Sequence, residues 1–435
     1  MDEDIREVEE EIYSKDKNIR IEALRKLVSK FPKKINDGFV NLHIHTNESF
    51  SVFTSPTEAV WGAYNEDVEY FGINDHYSID GHPEFRDACR IAGIKPAFSI
   101  EAIAMDASSR EKGKRFNDPN NAGRTYLVGK GVTRRLKNGS RAYNILEGMK
   151  KAIQERNKKM AELIERYLKE LGYNIPFSYK DVVSLTPHGN ATERHVVQAL
   201  CEKIENHYPD KEKRLEVYKK ILRYELTLKE MDDVAELQTL VRAKLIKAEM
   251  PCYVEEDEKA FTSIENLTYI YRDFGAIPTY PFLGNPITEG ESDLEALIKR
   301  VKSYGLYAFD LFDLRTEYSR AKEIMEVAKA HGFPVFIGTE HNTKKMIPLV
   351  GELGKSDEFL GYFRKSAQFV IGHQILSKLC NYGYIKEDGK PRIDNLQEGF
   401  DFYAEIGKKE ISEDEIDELS KRSFEDNKKY FGIGD

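Results

Sequence analysis

The chain has 435 residues, 40% of them hydrophobic, enough to bury a substantial core. Its 66 Lys and Arg face 75 Asp and Glu, a net charge of -9, which excludes a broad basic field for gripping nucleic-acid phosphates. Four scattered cysteines, Cys89, Cys201, Cys252 and Cys380, make no CxxC pair; this excludes a disulfide framework and a thiolate zinc site, and it suits a reducing cytoplasm.

Length alone would suggest about three domains of roughly 150 residues, but one barrel can take about 250. Residues 1–38 read as a charged helical arm, with Ile21, Leu24 and Leu27/Val28 at helical spacing and Pro32 near its end. The acidic opening MDEDIREVEEEIYSKDK has no apolar h-region, and no run of about 18 apolar residues occurs anywhere, so the chain is expected to be soluble, unprocessed and off the membrane. From 39 to 108 the pattern is strand, helix, strand, helix, strand. The first helix opens with a capping box, Ser55 to Glu58 with Pro56 at the first helical position, and the second closes at Gly93. Such alternation predicts parallel βαβ units.

Residues 109–265 read as an insertion in a barrel that spans 39–350. The entry, RFNDPNNAGR, is polar; a helical stripe follows at Met160, Leu163, Ile164, Tyr167, Leu168 and Leu171, and 211–250 is long, charged and periodic, with a solvated face. Between those helices lies GNATERHVVQAL. Alternation then resumes: FGAIPTYPFLGN as a strand, SDLEALIKRVKSYG as a helix with a capping box from Ser292 to Glu295, LYAFDLFD as a strand, TEYSRAKEIMEVAKAHG as a helix ended at Gly332, and FPVFIGTEHNT as a strand. Residues 351–435 read as an acidic helical extension, and no internal repeat interrupts the chain.

Four segments place acidic or imidazole side chains where strands end: His43-Ile44-His45, Asn74-Asp75-His76, Ile100-Glu101 and Thr339-Glu340-His341. In the first, the two-residue period of a strand points both imidazoles to one face, so both can reach one metal ion. The others each follow an apolar run, YFGI, KPAFSI or FPVFIG, and parallel strands bring such ends to one rim, where (β/α) barrels carry their active sites. Asp75 reads either as a ligand or as the carboxylate that orients His76. Asp310 and Asp313 read equally as strand-end caps or catalytic groups, and His82, His188, His207, His331 and His373 as structural or solvent-exposed.

The order HIHT, NDH, IE, GTEHNT, together with SPTEAVWGAYNEDVEYFGINDH and GNATERH, resembles the PHP (polymerase and histidinol phosphatase) superfamily over roughly residues 39–350, in a branch with a large helical insertion. The resemblance implies a distorted (β/α)7 TIM-like barrel with one to three divalent ions, manganese, zinc or iron, at its C-terminal rim. It further implies His43, His45, His76 and Glu101 as ligands, Glu101 bridging two ions, and His195 closing the cluster from the insertion. Three positions depart from the family pattern: Phe50 stands where an aspartate follows the serine, Tyr280-Pro281 where His-Pro is usual, and Glu340-His341-Asn342 where Asp-x-His is usual. With these departures one or two ions are expected, Glu340 taking the aspartate's place and His341 or Asn342 completing the shell.

An ion so held lowers the pKa of bound water toward ~7 and supplies hydroxide at neutral pH. Phosphate oxygens need positive charge, for which Arg194 is the foremost candidate, followed by Arg124 and Lys344; Asp75 and Glu101 are the candidate catalytic carboxylates. The expected activity is therefore hydrolysis of a phosphoester in a small phosphorylated metabolite or nucleotide. Two alternatives stay open: hydrolysis of a non-phosphate bond by the same water, and a barrel that binds a ligand or partner without turnover. The substrate and the oligomeric state are not fixed by these residues.

Overall fold

The structure, a computed structural model, describes residues 3–433 apart from 36 and 285. Seven strands form one sheet in chain order: β1 (Phe39–Ile44), β2 (Val68–His76), β3 (Lys95–Met105), β4 (Arg124–Lys130), β5 (Ile277–Phe282), β6 (Phe309–Phe312) and β7 (Val335–Gly338). Neighbours run parallel except at β4, which is antiparallel to both β3 and β5. The sheet closes where β7 meets β1: Thr339 and Glu340 donate their backbone N–H groups to His43 O, and His45 N–H donates to Glu340 O. That seam needs a glycine. A Cβ on Gly338 would lie 2.2 Å from the Cβ of His43. With helices around it, the sheet makes an α/β TIM-like barrel with helical extensions.

Local chemistry explains most element ends. The helix Pro56–Asn65 starts where the Ser55 side chain accepts from Glu58 N, and His82–Ala92 stops at Gly93 in the left-handed region. Two expected capping boxes differ in detail. Glu58 turns its carboxylate to Thr54 N and Oγ1 instead of reaching back to Ser55, and the helix Leu294–Ser303 is capped by Asp293, not Ser292. The stretch 211–250 is not one long helix: Thr227 and Asp233 start new caps inside it, and a π-helical turn spans Arg242–Ile246.

The stretch expected as an insertion, 109–265, also supplies a barrel strand. RTYLVGK is short and flanked by polar turns, and only its pairing with β3 and β5 makes it β4. The helix Arg141–Glu170 then leads away from the barrel: Ala142, Leu146 and Met149 sit in the barrel core, whereas Met160, Ile164 and Leu168 join a separate core built by the insertion helices.

The C-terminal extension lies under the barrel. Along the helix Asp357–Cys380, Ser366 Oγ accepts from Val335 N, Gln374 Oε1 accepts from Phe98 N, and His373 Nε2 faces Gly131 O and Gly275 O. These partners include the starts of β3 and β7 and the end of antiparallel β4, so the helix satisfies backbone groups that strand pairing leaves open. Among the described residues no helix is long and apolar enough to cross a membrane.

Candidate metal centre

The ends of β1, β2 and β3 bring three imidazoles around one carboxylate. His43 Nε2, His45 Nε2 and His76 Nδ1 stand 3.5, 3.4 and 3.5 Å from Glu101 Oε2. His43, His45 and Glu101 offer atoms within 4.8 Å of one another, a group that could hold a metal ion. The spacing is too long for strong hydrogen bonds, and His45 Nε2 and His76 Nδ1 are buried without any partner. Donors ~2.1 Å from a shared ion at tetrahedral angles would stand ~3.4 Å apart. Two unsatisfied buried ring nitrogens facing an ionised carboxylate therefore fit a divalent cation. Burial works to raise the pKa of Glu101, but His76 and His43 bring it below the usual carboxylate value, so it carries its charge.

Two of the rings, His45 and His43, are held in a set tautomer from behind. His45 Nδ1 lies 3.2 Å from Ser49 Oγ, and that hydroxyl donates to Asp75 Oδ1 at 2.6 Å, so the hydroxyl accepts from the ring and leaves Nε2 as a lone pair. Burial, then the neighbouring His76 and His43, keep the His45 pKa well below its ordinary value, and the ring is neutral. His43 Nδ1 donates to Asp310 Oδ2 at 2.7 Å, and Asn74 Nδ2 faces its Nε2 at 2.6 Å as a donor faces a lone pair. Behind Asp310 stands Lys130, with Nζ 2.8 Å from the same Oδ2 and 2.6 Å from Leu42 O. All three side chains are fully buried, so a line of charge and hydrogen bond runs along the barrel interior from Lys130 to His43.

The other candidates take different places. Asp75 accepts from Thr46 N, Thr46 Oγ1 and Ser49 Oγ, so its carboxylate is spent on the loop after β1 and on orienting His45 through Ser49. Glu340 Oε2 pairs with Arg315 at 2.5 Å and accepts from Asn342 Nδ2 at 3.0 Å. His341 does not join the cluster. Its Nδ1 bonds to Thr339 Oγ1 and its Nε2 to Ile347 O, and the ring stacks on Phe53. The backbone explains this: Glu340 and His341 both have positive φ, 64° and 54°, which turns the chain away after β7. Asp313 caps the helix Glu352–Lys355 by accepting from Gly351, Leu353 and Gly354 N–H, and Arg124 pairs with Glu256 and Asp118.

The insertion reaches back over the rim. Asn190 Nδ2 donates to Glu48 O and His76 O, and His188 Nδ1 lies 2.8 Å from Glu48 Oε2, across to the loop after β1. His195 lies outside the His43, His45, Glu101 group: its Nδ1 accepts from Thr192 N, capping its own helix, and its ring packs edge-on against Phe50 at 5.1 Å. Phe50 itself sits buried at φ 133°, a strained value for a phenylalanine. Arg194 lies over the Phe50 ring at 5.9 Å, with no hydrogen bond or ion pair to the described residues; burial, then Arg242, lowers its pKa to about 10. Lys344 lies 4.8 Å from the centre of the same ring and donates to Ser51 O. Tyr280 fills the β5 side as a core residue, its hydroxyl donating to Glu291.

Sequence reasoning gave no role to Lys130, Asn74, Ser49, Arg315 or the Glu48–His188 pair. Only Lys130 left a signal, a lysine ending the strand-like run RTYLVGK.

No protein-family model matches the chain. No curated protein matches it either. Among solved structures it is similar to a candidate metal-dependent phosphoesterase from Bifidobacterium adolescentis, with 15% identity over 75% of this chain and 95% of that one and a TM-score of 0.50. The likeness is one of fold. A second solved structure, an amidohydrolase from Chromobacterium violaceum with bound sulfate and no metal, shares 15% identity over 74% of this chain and 96% of that one, with a TM-score of 0.48.

Proposed function

We propose that this chain is a metal-dependent phosphoesterase of the PHP superfamily, acting on a small phosphorylated metabolite or nucleotide in a reducing, cytoplasmic compartment. The observation that carries the reading is the set of imidazole nitrogens around Glu101 Oε2, two of them buried without partners. His43, His45 and Glu101 would hold one ion, zinc, manganese or iron, and His76 with the shared Glu101 a second. An ion there supplies Lewis acidity toward a phosphoryl oxygen and makes water acidic enough to react at neutral pH. This chain's own residues do the rest. Asp310 and Ser49 keep the two ring lone pairs aimed at the centre, and Arg194, a guanidinium with no acceptor of its own, suits a phosphoryl anion. The strap at Asn190 and the buried Phe50 restrict access, which favours small substrates. Support also comes from the fold shared with the Bifidobacterium adolescentis protein described as a candidate metal-dependent phosphoesterase, and from four free, buried cysteines.

Metal analysis combined with 4-nitrophenyl phosphate and a panel of phosphorylated metabolites tests this. Wild-type protein should carry near-stoichiometric divalent metal and hydrolyse at least one phosphoester. Glu101→Gln should lose metal and activity together, whereas Arg194→Ala should keep the metal and raise KM about tenfold or more, as expected when a charged hydrogen bond to substrate is lost. Metal with turnover only of non-phosphate bonds, or neither metal nor turnover, would remove the phosphoesterase assignment.

A further inference from the structure

Away from the metal centre the barrel wall carries a cleft of about 1050 Å3. It runs along the helix His82–Ala92, past the outer face of Phe98 on β3, to the helix Asp357–Cys380 and the segment 407–416. β3 and β4 are antiparallel neighbours joined through only the short helix Ala107–Glu111, so that connection itself lays no crossover helix over the sheet. The lining also takes residues from the N-terminal arm and the C-terminal extension, Val28 and Ile411 among them.

The lining has two characters. Val28, Ile79, Val132, Ile371, Ile375 and Ile411 give it a branched aliphatic wall, with Phe98 and Tyr64 its aromatic members. Around that wall stand nine Lys and Arg side chains against four Asp and Glu, in a chain whose net charge is -9. Part of this charge is already used: Lys95 pairs with Glu69, and Arg90 with Asp417 and Asp414. Part is held more loosely. Arg86 Nε is buried with no hydrogen-bond partner, its ion pair with Asp87 Oδ1 is long at 4.0 Å, and its charge otherwise acts on Glu413 and Asp417 only from a distance; Lys34 pairs with no acid among the described residues. The volume is that of a small-molecule site, and the lining carries more charge than the mostly apolar walls usual for one. None of His43, His45, His76 and Glu101 lines it.

We propose that this cleft binds a single-chain aliphatic carboxylate, its hydrocarbon body along the isoleucine and valine wall and its carboxylate at the basic rim, with Arg86 the principal partner. An aliphatic body is favoured over a flat aromatic one because the wall is built of branched side chains. A carboxylate suits Arg86, whose planar guanidinium pairs with it in two parallel hydrogen bonds.

Isothermal titration of the full-length protein with decanoate tests the site, with decanol and acetate as the apolar and anionic halves alone. Decanoate should bind one to one, at least tenfold tighter than decanol and than acetate. Val28→Trp and Ile411→Trp, which add bulk to the cleft from the N-terminal arm and from the C-terminal extension, and Arg86→Gln should each weaken it at least tenfold. Glu101→Gln, in the metal centre, should leave it unchanged. Circular dichroism reports whether each variant folds; Arg86 is partly exposed, so its variant carries the test should a tryptophan variant not fold. No decanoate binding to wild type, equal binding of decanol or of acetate, undiminished binding in the folded variants, or loss in Glu101→Gln would each overturn the proposal.

Discussion

Lys130 and Asp310 are an ion pair on the interior of a barrel, and taking two charges out of water costs several kcal/mol per ion unless each is fully paired. Here Asp310 Oδ2 meets both Lys130 Nζ and His43 Nδ1, and Lys130 also donates to Leu42 O, so the cost is offset in part while both partners are present, Asp310 Oδ1 being left without a partner. Burial raises the Asp310 pKa, but Lys130 and His43 pull it below the usual carboxylate value, which keeps it an acceptor for His43. Removing only the lysine should therefore be the worse injury. Lys130→Met is expected to lower stability in urea by ~3 to 5 kcal/mol, and the double variant Lys130→Met/Asp310→Asn by clearly less. Equal losses in the two proteins would show that the pair does not act as a pair. Ser49 acts one bond away from His45: Ser49→Ala cuts the link from Asp75, and metal affinity in a chelator competition should fall ~10- to 100-fold with the fold intact.

Among the elements, the strap from the insertion and the helix under the barrel make contrasting predictions. Glu48 is nearly buried; burial raises its pKa to about 7, against the pull of His188, whose own pKa is raised by Glu48. A carboxyl group whose folded pKa lies above its unfolded value near 4.5 binds its proton more tightly in the folded state. Stability is therefore lost as pH rises from about 4.5 through about 7, and is flat in this term outside that window. Unfolding in urea across pH 4.5 to 7.5 should show wild type losing stability relative to Glu48→Gln; a constant difference between them would be the contrary result. Glycines give a second contrast. A Cβ on Gly372 would lie 1.9 Å from Tyr403 O, where the helix Asp357–Cys380 crosses Leu396–Gly407, so Gly372→Ala should cost ~1 to 3 kcal/mol. Gly148 sits in the helix Arg141–Glu170 with nothing within 4 Å of its would-be Cβ, and there alanine should stabilise by ~0.5 to 1 kcal/mol.

At the scale of the whole molecule, a candidate metal centre assembled from three strands would link metal binding to folding. Metal at a hundred times its dissociation constant should stabilise the folded chain by ~2.7 kcal/mol, raising Tm, and Glu101→Gln should abolish that rise. A Tm indifferent to zinc and manganese would argue against the centre. Much of that centre was legible in the sequence because it depends on local rules. Strand periodicity puts His43 and His45 on one face, parallel βαβ units bring the ends of β1, β2 and β3 side by side, and Gly93 stops its helix wherever the helix lies. The turn after β7 was not legible in this way. Positive φ at Glu340 and His341 sends the imidazole onto Phe53, a change of direction that GTEHNT does not announce in residues without glycine's freedom. Nor could RTYLVGK be placed before its partners were known: it becomes an antiparallel barrel strand by pairing with β3 and β5, and that register alone delivers Lys130 to Asp310 from 180 positions away. Sequence determined which side chains stand at strand ends, since the two-residue period acts between neighbours. Tertiary structure decided which of them meet, because closure of the barrel, the strap at Asn190 and the helix beneath the strands each join residues far apart in the chain, and no local rule sets such distances.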